Sequence, residues 1–111
     1  MDFQLSEEQQ LFQESVREFA RRHLAEDALQ RAHLPEFPFE ESQLMAKQGL
    51  LGLTFDEADG GSGGTVFDAV LAIQEIALVC PRSADVFQAG NFGPIRTFAE
   101  YATPEQKVCW L

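Results

Sequence analysis

The sequence is short of the features that define several functional classes. It has two cysteines, Cys80 and Cys109, and no CxxC pair, so neither a disulfide framework nor a cysteine-based zinc site is expected. Basic residues are few, eight against 18 acidic ones, which gives a formal net charge of −10. Because so acidic a surface repels phosphates and anionic headgroups, we expect neither nucleic acid nor membrane as a partner.

Long apolar runs and targeting signals are also missing. No apolar stretch approaches the roughly 20 residues that cross a bilayer. The acidic start lacks the basic segment and apolar run of a signal peptide. With reduced cysteines as the simpler interpretation, these features predict a cytoplasmic protein. A hydrophobic content of 45% is still enough for one packed core in a chain of 111 residues.

Helix-start signals recur along the chain. Ser6 with Gln9 predicts a capping box, in which each side chain satisfies a backbone N–H of the other residue. Thr65 with Asp68 is a variant of the same signal. The segment 103–106, Thr-Pro-Glu-Gln, combines a cap, a proline at the first helical position and a capping-box glutamine. Three helices therefore have well-defined starts.

The first half of the chain predicts two helices and a loop. Apolar residues at helical spacing predict a first helix that runs on, with a break, towards His33. After two prolines, a second helix is expected from residue 39 to 48, with Pro38 near its first position and Gly49 just past its end. Residues 56–64 are expected to be a structural loop, because its closely spaced glycines would lose too much backbone entropy in a helix.

The second half predicts further helices. Residues 66–80 are apolar on nearly every face, which indicates a central helix covered on several sides and ended by Pro81. Ser83 is expected to cap the next helix, which is kinked between Gly90 and Pro94. The last helix stops soon after it starts, which suggests that the chain is cut before its natural end at Leu111. Together these signals predict an all-α bundle of about five to six helices.

The residues alone show no catalytic constellation. The glycine-rich loop lacks the lysine of a nucleotide-binding P-loop and stands beside acidic residues. His23 and His33 have no partners at metal-ligand spacing. No pair of carboxylates is clearly placed in an apolar setting that would raise a pKa for acid–base work.

Six motifs nevertheless follow one another along the whole chain in a familiar order. They resemble the N-terminal domain of the acyl-CoA dehydrogenase family. The motifs are DFQLSEEQ at 2–9 with VREFA at 16–20, FP at 37–38, GLLGL at 49–53, GGSG at 60–63, DAVLAIQEIA at 68–77, and TPEQK at 103–107 with WL at 110–111.

The resemblance implies that residues 1–111 are a single all-helical N-terminal domain, with the family's middle β domain and C-terminal helical domain absent. Those absent domains hold FAD and the catalytic glutamate, so no residue here is expected to be catalytic, to bind the cofactor or to bind a metal. The implied activity is α,β-dehydrogenation of an acyl-CoA in fatty acid metabolism, with an electron-transfer flavoprotein as partner. The parent is expected to be a homo-oligomer, and the isolated piece to be inactive.

The resemblance also implies a role for this domain. In the family its fourth and fifth helices pack on the C-terminal domain and line the acyl-chain tunnel. Alignment with short- and medium-chain members places the tunnel positions at Phe87, Gln88, Asn91 and Ile95, with Phe87 filling the tunnel. Their spacing is consistent with one side of a single helix. The alternative is that all four are ordinary core residues.

Two other functions stay open. Acyl-CoA oxidases and flavin monooxygenases share this domain, so the fold could serve a different reaction. A free-standing helical interaction module would instead expose an apolar patch to a partner. On its own, the domain is expected to leave apolar surface bare on its last helices and to self-associate.

Overall fold

The fold consists of helices and loops. A computed structural model describes residues 2–111, which contain no strand. The helices are α1 (Glu7–His23), α2 (Ala28–Arg31), α3 (Phe39–Lys47), α4 (Val66–Val79), α5 (Pro81–Ala89), α6 (Pro94–Tyr101) and α7 (Pro104–Trp110), with a 3₁₀ turn at Glu57–Asp59. The predicted all-α class is confirmed. Six of the helices have seven residues or more, in line with the expected five to six, and α2 adds one four-residue turn.

All three predicted capping boxes are formed. At the start of α1, Ser6 Oγ accepts a hydrogen bond from the Gln9 amide at 3.2 Å, and Gln9 Oε1 accepts one from the Ser6 amide at 2.8 Å. The same reciprocal pair joins Thr65 to Asp68 before α4 and Thr103 to Gln106 before α7. Because a capping box involves only residues three positions apart, sequence spacing was enough to locate it.

Two predicted details in the first half are confirmed: a break on the way to His33, and Pro38 beside the first position of the next helix. The first helix ends at His23, and the chain then turns through Asp27, whose φ of 58° lies in the left-handed region, before α2. Pro38 is the residue before α3 rather than its first residue. Gly49 does follow the helix with a positive φ of 79°, as predicted.

The predicted start of α5 is wrong. Ser83 was predicted to cap it, but α5 begins at Pro81 with Cys80 as the preceding residue. A proline is tolerated at the first helical position because its missing N–H would have no intrahelical partner there. Pro81 therefore both ends α4 and begins α5. Ser83 lies buried inside α5 and donates a hydrogen bond to Cys80 Sγ at 3.2 Å.

The predicted kink is a complete break. One kinked helix was expected through Gly90 and Pro94, but the chain forms two helices, α5 and α6, separated by a turn. Gly93 adopts a φ of 67°, and Pro94 is the first residue of α6. The positive φ and the following proline together stop one helix and start another.

Helix α4 is covered on one side and bare on the other, so the prediction of burial on several sides is wrong. It packs against α1 and α5. Its buried face consists of Ala69, Leu71, Ala72, Glu75 and Ile76. Its opposite face, called the bare face below, consists of five exposed apolar residues, Val66, Phe67, Val70, Ala77 and Leu78, with the polar Gln74 among them. The Leu78 side chain is 80% exposed. Apolar composition alone could not distinguish the two faces.

The core lies where α1, α4 and α5 meet. Ala20, Ala69 and Ala72 have no exposed surface, and such small side chains allow the α1 and α4 backbones to approach closely. Ile76 and Phe87 fill the space towards α5. Packing of this kind, rather than helix propensity, supplies most of the stability of helices this short.

One ion pair bridges α1 and α4 beside that core. Arg17 Nε and a terminal guanidinium nitrogen each donate to a Glu75 carboxylate oxygen at 3.0 Å, and Glu75 is only 5% exposed. The hydrogen bond from Arg17 holds the pKa of Glu75 below its ordinary value despite the opposing effect of burial. The two-pronged geometry fixes the rotation of α4 about its axis as well as its distance from α1.

We expect Glu75→Gln to lower the melting temperature by about 4–8 °C, because the buried end of the pair loses its charge. Since the folded pKa of Glu75 is lowered, its contribution is complete above the ordinary glutamate pKa of about 4.3. The contribution disappears as the pH falls through the lowered folded value. The difference in melting temperature between the unchanged protein and Glu75→Gln should therefore disappear in acid. The exposed pair Arg22–Glu18 provides the control, and Glu18→Gln should change little. Equal losses at both sites would contradict this account.

The glycine-rich loop folds back on the segment that follows α3. The amides of Gly63 and Gly64 donate to the carbonyl oxygens of Phe55 and Leu53 at 2.8 and 2.7 Å. Gly61 lies so close to this segment that an added Cβ would stand 2.3 Å from the Phe55 carbonyl oxygen. These contacts, called the clasp below, hold Gly61, Gly63 and Gly64 tightly against Leu53 and Phe55.

We expect Gly61→Ala to destabilise the domain by about 1–3 kcal/mol through overpacking against backbone. Gly60→Ala is the matched control, because its φ of 87° strains an alanine while no atom lies within 4 Å of the added Cβ. That change should cost about 1 kcal/mol. Urea unfolding of both variants decides the matter, and a smaller loss at Gly61 would show that the clasp is loose.

Candidate functional site

The four predicted pocket residues do not share one helical face. Phe87 lies in α5 and has no exposed surface, and Gln88, next to it, is exposed. Asn91 is fully buried in the turn after α5, and Ile95 is half-buried in α6. The inference that one helix carries all four is wrong, because the chain breaks between α5 and α6. Their role in binding stays a prediction.

Asn91 is a structural junction. Its Nδ2 donates to the carbonyl oxygens of Leu50 at 2.8 Å and Phe87 at 3.0 Å. Its Oδ1 accepts from the Thr54 amide at 3.3 Å, and its carbonyl accepts from the Thr54 hydroxyl at 3.1 Å. One buried amide therefore ties the segment after α3 to the end of α5. Nothing in the local sequence around Asn91 signals this role, because two of its three partners, Leu50 and Thr54, lie about 40 residues away.

The accessible part of the predicted pocket consequently reduces to Gln88 and Ile95. Phe87 and Asn91 are buried and hold the α5–α6 turn in place.

A cavity of about 320 Å³ lies next to Thr54, whose amide donates to Asn91, and it extends to the side chains of Arg96 and Glu100 on α6. Its other lining residues include Asp56 and Asp59, so negative charge predominates there.

We expect Asn91→Ala to destabilise the domain by about 2–3 kcal/mol, because two buried carbonyl oxygens and one amide lose their partner. Gln88→Ala, three residues away and exposed, should change stability by less than about 0.5 kcal/mol. Thermal melts of the two variants provide the comparison. Comparable losses would mean that Asn91 is not the junction described here.

The glycine-rich loop does not fit a nucleotide phosphate. The amides of Gly63 and Gly64 already bond to backbone carbonyls, so they cannot cradle a phosphate. Asp56 and Glu57 add negative charge, and the one lysine nearby, Lys107, is paired with Asp59 at 3.2 Å. Within residues 2–111 no cluster of histidine, cysteine and carboxylate side chains could hold a metal ion. Nor is any helix in that range long and apolar enough to cross a bilayer.

The two cysteines are free thiols, Cys80 buried and Cys109 exposed. Burial of Cys80 acts to raise its pKa, but hydrogen bonds from Ser83 and Arg31 outweigh burial and lower the pKa below the ordinary value. Those contacts link the α4–α5 corner to α2. Cys80 is thus a packed corner residue.

Comparison with known proteins identifies the domain. A family model described as "Acyl-CoA dehydrogenase, N-terminal domain" matches residues 6–111. The chain belongs to the acyl-CoA dehydrogenase family and corresponds to its N-terminal domain, so the resemblance seen in the sequence is confirmed.

Individual relatives match nearly the whole chain but only part of themselves. The short-chain specific acyl-CoA dehydrogenase of Clostridium acetobutylicum is 32% identical over the entire chain, which covers 29% of that protein. An acyl-CoA dehydrogenase of Bacillus subtilis is 37% identical over 96% of the chain and 28% of its own length. A 3-sulfinopropanoyl-CoA desulfinase of Paraburkholderia xenovorans is 31% identical over 95% of the chain and 27% of its own length. The chain thus spans less than a third of the curated relatives it matches.

Proposed function

We propose that this chain is the first domain of an FAD-dependent acyl-CoA dehydrogenase that forms one wall of the acyl-chain pocket and packs against the rest of the enzyme. The observation that carries the proposal is the bare face of α4. Its five apolar side chains run along a 14-residue helix, and no charged side chain is exposed among them. Gln74 is the one polar side chain exposed among them, and so predominantly apolar a surface on so acidic a protein supports a role in packing.

The reaction step itself lies outside this domain. We infer that FAD, the catalytic glutamate and the docking of an electron-transfer flavoprotein require parts of the enzyme beyond residues 1–111, because the glycine-rich loop offers no phosphate site and the chain covers less than a third of its relatives. Bound FAD supplies the oxidant for α,β-dehydrogenation. The domain contributes by excluding water and by selecting the acyl chains that fit. Each methylene of the chain that it buries contributes about 0.8 kcal/mol.

The pocket wall is proposed to run along the α5–α6 turn. Gln88 and Ile95 have accessible side chains there, and Phe87 and Asn91 support the turn from the core side. Rigid support of this kind favours discrimination by length, since a wall that cannot move cannot admit a longer chain. The cytoplasmic location and the homo-oligomeric parent expected from the sequence are part of the same proposal.

The names of the relatives support the substrate class more strongly than the reaction. A dehydrogenase and a desulfinase match this chain at 32% and 31% identity, and the name of each refers to a CoA thioester. We therefore infer that an acyl-CoA is the substrate, with dehydrogenation as the reaction because the matching family is named for it.

The proposal is tested by a chimera in which residues 1–111 replace the matching part of the Clostridium acetobutylicum enzyme. We expect the purified chimera to be yellow with flavin and to bleach with a saturated acyl-CoA. In that chimera, Ile95→Ala and Gln88→Ala should shift kcat/KM towards longer acyl chains, by about 4-fold for each methylene accommodated. Glu7→Gln, on the exposed first turn of α1, is the matched control.

Phe87→Ala is the less informative variant. It would also favour longer chains if Phe87 filled the pocket, but removal of a fully buried phenyl ring costs about 3–5 kcal/mol by itself. An unchanged chain-length profile in both Ile95→Ala and Gln88→Ala would remove this turn from the pocket. A folded chimera that binds flavin and does not bleach with acyl-CoA would contradict the proposed role of the domain in the acyl-CoA pocket.

A further inference from the structure

A second apolar surface is formed mainly by residues 27–41 and shares no residue with the proposed pocket wall. The loop between α2 and α3 borders a cavity of about 420 Å³ together with the start of α5. Leu34, Phe37 and Phe39 contribute its apolar lining and are 52%, 50% and 68% exposed. The two phenyl rings meet edge to face with centroids 4.8 Å apart. We call this surface the loop groove; it shares no residue with the bare face of α4.

The loop groove is held in shape by two arginines. Arg82 of α5 donates to the backbone carbonyls of Leu34 and Glu36, so the loop is fastened at two points. Arg31 of α2 donates to the carbonyl of Glu26, and its Nε lies 3.1 Å from a Glu41 carboxylate oxygen. That contact is an ion pair rather than a directed hydrogen bond, since the N–H does not point along the line to the oxygen. A surface fastened in this way loses little entropy on binding.

The charge of the loop groove selects its ligand. Both arginines are engaged within the domain, whereas Asp27 and Glu40 line the cavity with exposed carboxylates. Neither acid has an ion-pair partner among residues 2–111. Arg82 keeps its positive charge, because it donates only to neutral carbonyls, so the three acids and two arginines of the lining carry a net charge of −1. That excess disfavours the phosphates of a CoA ester and favours lysine or arginine. Apolar lining with an acidic rim is complementary to an apolar side chain flanked by basic ones.

We propose that the loop groove is a docking surface for a segment of another protein that carries a large apolar side chain flanked by lysines or arginines. The apolar side chain packs against Phe37 and Phe39, and the basic groups pair with Asp27 and Glu40. This inference goes beyond the proposed function and does not depend on it, because it uses only the 111-residue chain.

The test is fluorescence anisotropy with the 111-residue chain and a labelled peptide in which a central Leu-Phe pair is flanked on each side by two lysines. We expect Phe39→Ser to weaken binding about 10-fold, since the variant lacks the ring that the bound peptide would bury. The double variant Asp27→Asn/Glu40→Gln should weaken it by a similar factor at low salt and by less at high salt. Phe39 and both acids are exposed, so the variants should fold, and circular dichroism checks this directly.

Matched controls separate the groove from general attraction to an acidic protein. Val108→Ser removes an apolar side chain that is 88% exposed on α7, and Glu7→Gln/Glu8→Gln removes two acids from α1. Both should leave the affinity unchanged. Equal weakening by the controls, tight binding of a peptide with glutamates in place of the lysines, or no measurable binding of the lysine peptide would overturn the proposal. So would a dimer of the chain that Phe39→Ser dissociates, because the occupant would then be a second copy.

Discussion

The one-sided packing of α4 is the constraint on which the rest of the structure depends. Ala69 and Ala72 let α4 approach α1 closely, and the Arg17–Glu75 pair fixes its rotation. Given that rotation, Ile76 must point into the core and Leu78 must point away from it. The same geometry that closes the core therefore creates the bare face. The bare face is the observation behind our proposal that the domain packs against another surface.

Local signals in the sequence were sufficient for the helix starts. Each capping box spans three positions, and its donors and acceptors are decided by neighbours along the chain. Ser83 shows the limit of that reasoning, because a serine after a proline resembles a cap but the proline itself begins the helix. The bare face of α4 shows another limit. An all-apolar segment indicates burial in the complete protein, and the sequence of one domain does not reveal which face the domain itself covers.

The candidate site was predictable only through the family resemblance, and then only in part. The resemblance placed four residues at the end of α5, but spacing could not reveal that Gly93 and Pro94 end one helix and begin another. The role of Asn91 depends on Leu50 and Thr54, and the shape of the loop groove depends on Arg82 reaching back to Leu34. Contacts between residues so far apart in sequence follow from the tertiary fold, which local patterns do not encode.

The most direct test of this account compares two apolar truncations two positions apart on α4. Ile76 has no exposed surface, whereas Leu78 is 80% exposed. Urea unfolding of the 111-residue chain should show a loss of about 2–5 kcal/mol for Ile76→Ala. It should show less than about 0.5 kcal/mol for Leu78→Ala. Comparable losses for the two variants would mean that α4 is covered on both sides, and the packing described here would be contradicted.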